Sequence, residues 1–142
     1  MAIENKMVDG HGDGHRVRVS KWGIAATGPI EFSVSYPVTA SSINTAYTFV
    51  GPKAGKQFVV TDILLYANKN VGANDATVEI YEADTETTTT VSKSVLITEM
   101  LKQTSRDFVG LNLVINEGKW LNIKTDDATI FASVLGYYVP VV

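Results

Sequence analysis

A chain of 142 residues with no cysteine and a formal net charge of −3 is long enough for one packed core. It has no means to form disulfides, zinc–thiolate sites or thiol nucleophiles. Its 12 Lys and Arg are scattered, whereas a general nucleic-acid binder gathers them into a basic patch or stripe, so no nucleic-acid partner is expected.

No run approaches the ~18 apolar residues that a membrane helix needs, and "MAIENKMVDG" (1–10) lacks the apolar centre of a signal peptide. The expectation is a chain made in the cytoplasm with no membrane association. Val, Ile and Thr total 43 against 8 Leu. Branched side chains lose rotamer freedom in helices and pack well on a pleated surface, which predicts an all-β fold.

Residues 1–29 read as an extended N-terminal arm. Gly10, Gly12, Gly14, Gly23 and Gly28, followed by Pro29, interrupt any periodicity, and only "RVRVS" (16–20) and "WGIAA" (22–26) have the pattern of short strands. Ordering so glycine-rich a backbone is entropically costly, so the arm is expected to gain structure against a partner. Val17, Val19 and Trp22 are its candidate anchors.

Within the arm, "DGHGDGH" (9–15) alternates glycine with Asp or His. In an extended chain, side chains at i and i+2 share a face, so His11, Asp13 and His15 are candidate metal ligands. Imidazole with carboxylate suits zinc or another transition metal. The ligand row and closing Glu of an EF-hand are missing, and so is the Lys-Ser/Thr of a phosphate-binding loop. Alternating glycine equally marks a mobile or closely packed backbone. No cofactor and no metal are assigned, although three copies of one His on a threefold axis would supply enough ligands.

Residues 30–142 read as one sandwich domain, in which apolar stretches recur between turn signals. The predicted strands lie in "EFSVSYPV" (31–38), "AYTFVG" (46–51), "QFVVTDILLYAN" (57–68), "ATVEIYEA" (76–83), "SVLITEML" (94–101), "FVGLNLVI" (108–115), "KWLNIKT" (119–125) and "ATIFASVLGYYVPVV" (128–142). About eight short strands at this spacing predict an antiparallel sandwich or barrel. A helix competes only over 94–104, where the branched neighbours favour a strand.

Two strands are apolar on both faces. Straight alternation puts Phe58, Val60, Leu64 and Tyr66 on one face of 57–68, with Val59, Ile63 and Leu65 on the other. In 129–138 it sets Phe131, Leu135 and Tyr137 against Ile130, Val134 and Tyr138. An antiparallel sandwich strand needs only one buried face, so the outer one is expected to be covered by the N-terminal segment or by a neighbouring subunit.

Catalytic signals are weak. The two histidines both fall in the glycine-rich arm, a poor platform for an oriented base. Asp126 and Asp127 read as turn residues bonding the local backbone, and Glu79 and Glu82 as solvent-facing strand positions. No enzyme is expected. Trp22, Trp120, Tyr137 and Tyr138 could stack on sugar rings, but aromatics on strands more often pack in cores or interfaces.

Two stretches together resemble a family. "VDGHGDGHRVRVSKWGIAATG" (8–28) is similar to a segment near the start of many tailed-bacteriophage virion proteins. "LNLVINEGKWLNIKTDDATIFASVLGYY" (111–138) is similar to the closing strands of phage jelly-roll proteins, and "FVVTDILLYANK" followed by "ATVEIYEA" fits that layout. The resemblance implies a jelly-roll β-sandwich with an extended N-terminal arm. It further implies a homotrimeric head decoration (cement) protein on the virion surface, whose partner is the major capsid protein. The alternative is a tail-fibre or tail-tip module that binds host-surface glycans. Either way no catalytic or cofactor residue is implied, and the interaction residues would be Val17, Val19, Trp22, Trp120, Tyr137 and Tyr138. His11 and His15 depart from the commoner pattern, which has small or hydroxyl residues there. A third reading, a cellular carbohydrate-binding module, fits less well without a secretion signal.

Overall fold

The computed structural model describes residues 33–68, 75–127 and 129–141. The expectations for the arm, including His11, Asp13, His15, Val17, Val19 and Trp22, lie outside these residues. Among the described residues there is no helix, and nine strands follow one another: β1 (Val34–Ala40), β2 (Tyr47–Val50), β3 (Lys56–Ala67), β4 (Ala76–Ala83), β5 (Lys93–Met100), β6 (Ser105–Phe108), β7 (Leu113–Val114), β8 (Trp120–Thr125) and β9 (Ile130–Pro140).

All pairings are antiparallel. One sheet runs β1-β9-β3-β6, with β7 also on β3, and the other runs β2-β8-β4-β5. The expected strand over 108–115 is mostly loop: β6 begins earlier and ends at Phe108, β7 covers only Leu113–Val114, and the two lie end to end along β3. Counted as one, they give two four-stranded sheets in jelly-roll order, the architecture of two interlocked Greek keys. The fold is an all-β jelly-roll sandwich, and the stretch at 94–104 contributes strand β5.

The core lies between the two sheets. Ile63, Leu65, Val134 and Ile130 from the first sheet meet Val78, Ile80, Leu121 and Ile123 from the second, all essentially inaccessible to solvent. Strand β9 alternates as its sequence predicts: Ile130, Ala132, Val134 and Tyr138 turn inward, Phe131, Leu135 and Tyr137 outward.

Strand β3 does not alternate simply. Val60 pairs with Gly136 and Asp62 with Leu135, so Thr61 is an extra residue in the ladder. A one-residue bulge moves every later side chain to the opposite face. Phe58 and Val60 therefore share the core side with Ile63, Leu65 and Ala67, while Leu64 and Tyr66 face out, 39% and 42% exposed. This corrects the straight alternation read from the sequence.

The bulge has its own partners. The Thr61 hydroxyl donates to the Leu135 carbonyl at 3.1 Å, and the Leu111 amide donates to the Thr61 carbonyl at 2.7 Å. The Gly110 amide donates to Asp62 Oδ1 at 3.1 Å. The last two bonds fall in the stretch between β6 and β7, and they account for the break there: the edge strand loops out where β3 carries its extra residue.

Glu82 is a second correction. It is fully buried, whereas Glu79 lies on the outer face with Lys124 Nζ at 3.5 Å and the Ser94 hydroxyl at 2.9 Å. Residues three apart on a strand point to opposite faces, so the two could not both face solvent. The Glu82 carboxylate accepts bonds from the Asn116 backbone amide (3.2 Å) and from Asn116 Nδ2 (2.9 Å), and Lys93 Nζ lies 3.7 Å away. It ties the turn between β7 and β8 to β4. Replacing Glu82 with alanine leaves those donors unpaired and is expected to destabilise by about 1–3 kcal/mol. Glu82→Gln, which keeps an acceptor oxygen, should recover part of that loss in urea unfolding.

Candidate interaction surface

The two sheets differ in what lies on their outer faces. Over the second sheet, the connection from β4 to β5 folds back as a roof. The Tyr81 hydroxyl donates to the Thr88 carbonyl at 2.9 Å, Asn122 Nδ2 to the Thr85 carbonyl at 3.1 Å, and the Thr48 hydroxyl to the Glu86 carbonyl at 3.0 Å. Lys124 Nζ donates to the Thr89 carbonyl at 2.9 Å. Tyr81 and Asn122 are consequently buried although they sit on an outer face, and burial raises the Tyr81 phenol above its ordinary pKa. The threonine run of "DTETTTT" supplies this roof through its carbonyls.

The first sheet has an apolar outer face that no other described residue roofs. Tyr66 and Phe131 are cross-strand neighbours with stacked rings, 6.3 Å between centroids, and each is more than two-fifths exposed. Leu64 follows on β3, and Leu135 and Tyr137 follow on β9. Val59 is sealed between its neighbours Tyr137 and Val114, while Val114 itself is 44% exposed. Partial burial among these groups raises the Tyr137 phenol above its ordinary range.

Polar groups frame this patch. On the β1 side, Ser35 and Ser133 share a 2.6 Å hydroxyl contact, and Pro37 and Thr39 are the next residues on the same face. Asp107 lies on the β6 side opposite Leu64, and Asp62 interrupts the apolar face on β3, opposite Leu135. Pro37 has no amide hydrogen, so it interrupts β1 as a template for a further strand.

The remaining candidate residues do not converge. Tyr138 neighbours Tyr137 in sequence but points the other way. It is 8% exposed, meets Phe58 edge-on at 5.1 Å, and donates its hydroxyl to the Gly51 carbonyl at 2.8 Å, with Lys53 Nζ 4.0 Å from the ring centroid. It is a core residue with little surface to offer a ligand. Trp120 is half-buried on the second sheet and packs on Gly51, where a Cβ would lie 2.7 Å from Trp120 Cζ3. Tyr137 alone of the three belongs to the apolar face. Leu64, Tyr66 and Val114 join it there. The outward half of β9 is legible from alternation; Leu64 and Tyr66 are concealed by the bulge.

Among the described residues no three His, Cys, Asp or Glu form a cluster able to hold a metal ion. Asp126 accepts a bond from the Thr77 amide at 2.7 Å, fastening the turn after β8 to β4. A groove of about 180 Å3 runs between β5 and β7, lined by Lys93, Ser94, Val95, Asn112, Leu113, Val114 and Ile115; it is smaller than the usual small-molecule site of roughly 300 Å3 and above. Comparison with known proteins finds no matching family model and no matching curated protein.

Proposed function

We propose that this chain is a non-enzymatic structural protein of a tailed-bacteriophage virion, a capsid decoration protein that acts as a homotrimer. The observation that carries the reading is the contrast between the two outer faces: one is roofed by the chain's own loop, the other carries an apolar patch that no other described residue roofs. Exposed apolar surface rimmed by polar residues marks a site of association. The jelly-roll strand order agrees with the resemblance carried by residues 8–28 and 111–138.

The mechanism is noncovalent. A trimer that binds the assembled shell, and not free capsid subunits, stabilises the shell by mass action. Bridging neighbouring subunits adds contact area that the bare shell lacks. The glycan-binding alternative is weakened by the inward position of Tyr138 and the packing of Trp120 on Gly51. The test is to add purified protein to capsids of the parent particle that lack it, then follow co-sedimentation and thermal disruption. Binding with a higher disruption temperature is the expected result. Failure to co-sediment overturns the reading.

A further inference from the structure

We propose that the side chains of Lys93 and Asn116 become joined by an amide bond, which the protein forms itself with Glu82 as the group that moves the protons. The inference does not rest on the virion reading. It follows from an amine and a primary amide that meet on one buried carboxylate.

The strand register brings the groups together. Glu82 of β4 and Lys93 of β5 are directly paired, so their side chains share a face of the second sheet. That face is the inner one. The Glu82 side chain is 1% exposed, and Lys93, 57% exposed, reaches it from the open edge of β5. Asn116 arrives from the other direction, in the turn between β7 and β8. Its backbone is held on both sides: the Ile115 amide donates to the Phe58 carbonyl at 2.8 Å, and the Lys119 amide donates to the Asn116 carbonyl at 3.2 Å. Lys93 and Ile115 line the same groove between β5 and β7, two strands of different sheets.

Both reactants touch the carboxylate. Glu82 Oε1 accepts from Asn116 Nδ2 at 2.9 Å, while Oε2 accepts from the Asn116 backbone amide at 3.2 Å and stands 3.7 Å from Lys93 Nζ. The pair Lys119–Asp84 is a contrast, because there the carboxylate is 73% exposed, as in an ordinary surface ion pair.

Condensing an ammonium group with a primary amide requires protons to leave the amine and to reach the departing nitrogen. A carboxylate in contact with both can carry them. Glu82 takes a proton from Lys93, and the freed electron pair on Nζ attacks Asn116 Cγ. The Cγ–Nζ bond forms, the Cγ–Nδ2 bond breaks, and both of the protons that Nζ gives up end on Nδ2. An ammonium ion leaves, so charge is conserved, and no oxidant, reductant or cofactor is consumed. Asn116 lies at the surface, which gives the ion a way out. Holding amine and amide against one group supplies the proximity that makes so slow a reaction feasible. The bond forms once per chain, as a self-modification without turnover. It closes the loop from Lys93 to Asn116 and restricts the unfolded chain as a disulfide would, in a sequence that has no cysteine.

The test is the intact mass of the full-length protein, denatured after folding and compared with the mass of the unbonded chain. The protein should be lighter by one ammonia, and proteolysis should release a branched peptide that joins the segments around Lys93 and Asn116. Lys93→Arg keeps the charge beside Glu82 and removes the nucleophilic amine. Glu82→Gln keeps hydrogen-bonding groups and cannot carry the proton. Both variants should show the full mass with an unchanged far-ultraviolet spectrum, whereas Lys119→Arg should keep the loss of ammonia. If Glu82→Gln does not fold, Lys93→Arg, at an exposed side chain, decides alone. Wild type at its full mass overturns the inference. So does a loss of ammonia without the branched peptide, or one that persists in Lys93→Arg. Capsid binding is read separately, and its failure would leave the cross-link standing.

Discussion

Replacing Gly136 with alanine is expected to destabilise the fold by about 3 kcal/mol, at the upper end of the usual range for overpacking. Gly136 sits on β9 between Val34 of β1 and Val60 of β3, opposite the extra residue Thr61. A methyl group there would collide with the Val59 carbonyl oxygen and stand 2.6 Å from Phe58 Cζ and 2.8 Å from Phe58 Cε2. The ring is held edge-on between Tyr36 and Tyr138, and the carbonyl is fixed backbone, so neither can yield cheaply. The stiffer unfolded chain returns less than about 1 kcal/mol. A shift of the urea midpoint at constant slope is the expected signature. A midpoint equal to wild type would mean that β9 moves away from β3 without cost.

The second large effect separates two adjacent residues. Ile63→Ala is expected to cost about 2–5 kcal/mol, because Ile63 is completely buried between the sheets. Leu64→Ala should cost less than about 1 kcal/mol in the monomer, since that side chain faces outward and is 39% exposed. Straight alternation from Phe58 would give the opposite order. Equilibrium unfolding of the two variants, at concentrations where the chain is monomeric, therefore tests the bulge itself. A larger loss at Leu64 than at Ile63 would show that β3 pairs without it.

These two positions also show how far the fold could be read from sequence. Strands β4, β8 and β9 follow from branched residues in period two between Gly, Asn and Asp turns, and their limits fall within two residues of those expected. The inward and outward sets of β9 were legible for the same reason. Thr61 was not, because the bulge exists only in the register against Gly136 and Leu135 on β9, distant in sequence. Glu82 was misread because a carboxylate suggests solvent until Asn116 is known to stand opposite. In the same way, Tyr138 and Tyr137 look equivalent on paper and are separated by the pleat. The apolar face could be anticipated as an excess of hydrophobic residues on two strands, and only the register shows which residues make it up.

The strand order has a consequence for biosynthesis. β9 lies between β1 and β3, and β8 lies between β2 and β4, so a central strand of each ladder is synthesised after both of its neighbours. Until then β1 has no neighbour in its sheet, and β3 exposes both apolar faces. Neither half of the sandwich can close while it is being translated. Closure brings together segments far apart in sequence, which places the chain among slow-folding topologies, on the order of milliseconds to seconds. The nascent chain therefore passes through a period of open edges in which association with other chains competes with folding. Pro37 on β1 and the charged residues at the borders of β5 and β6 limit that competition, protecting the unfinished chain as well as the finished one.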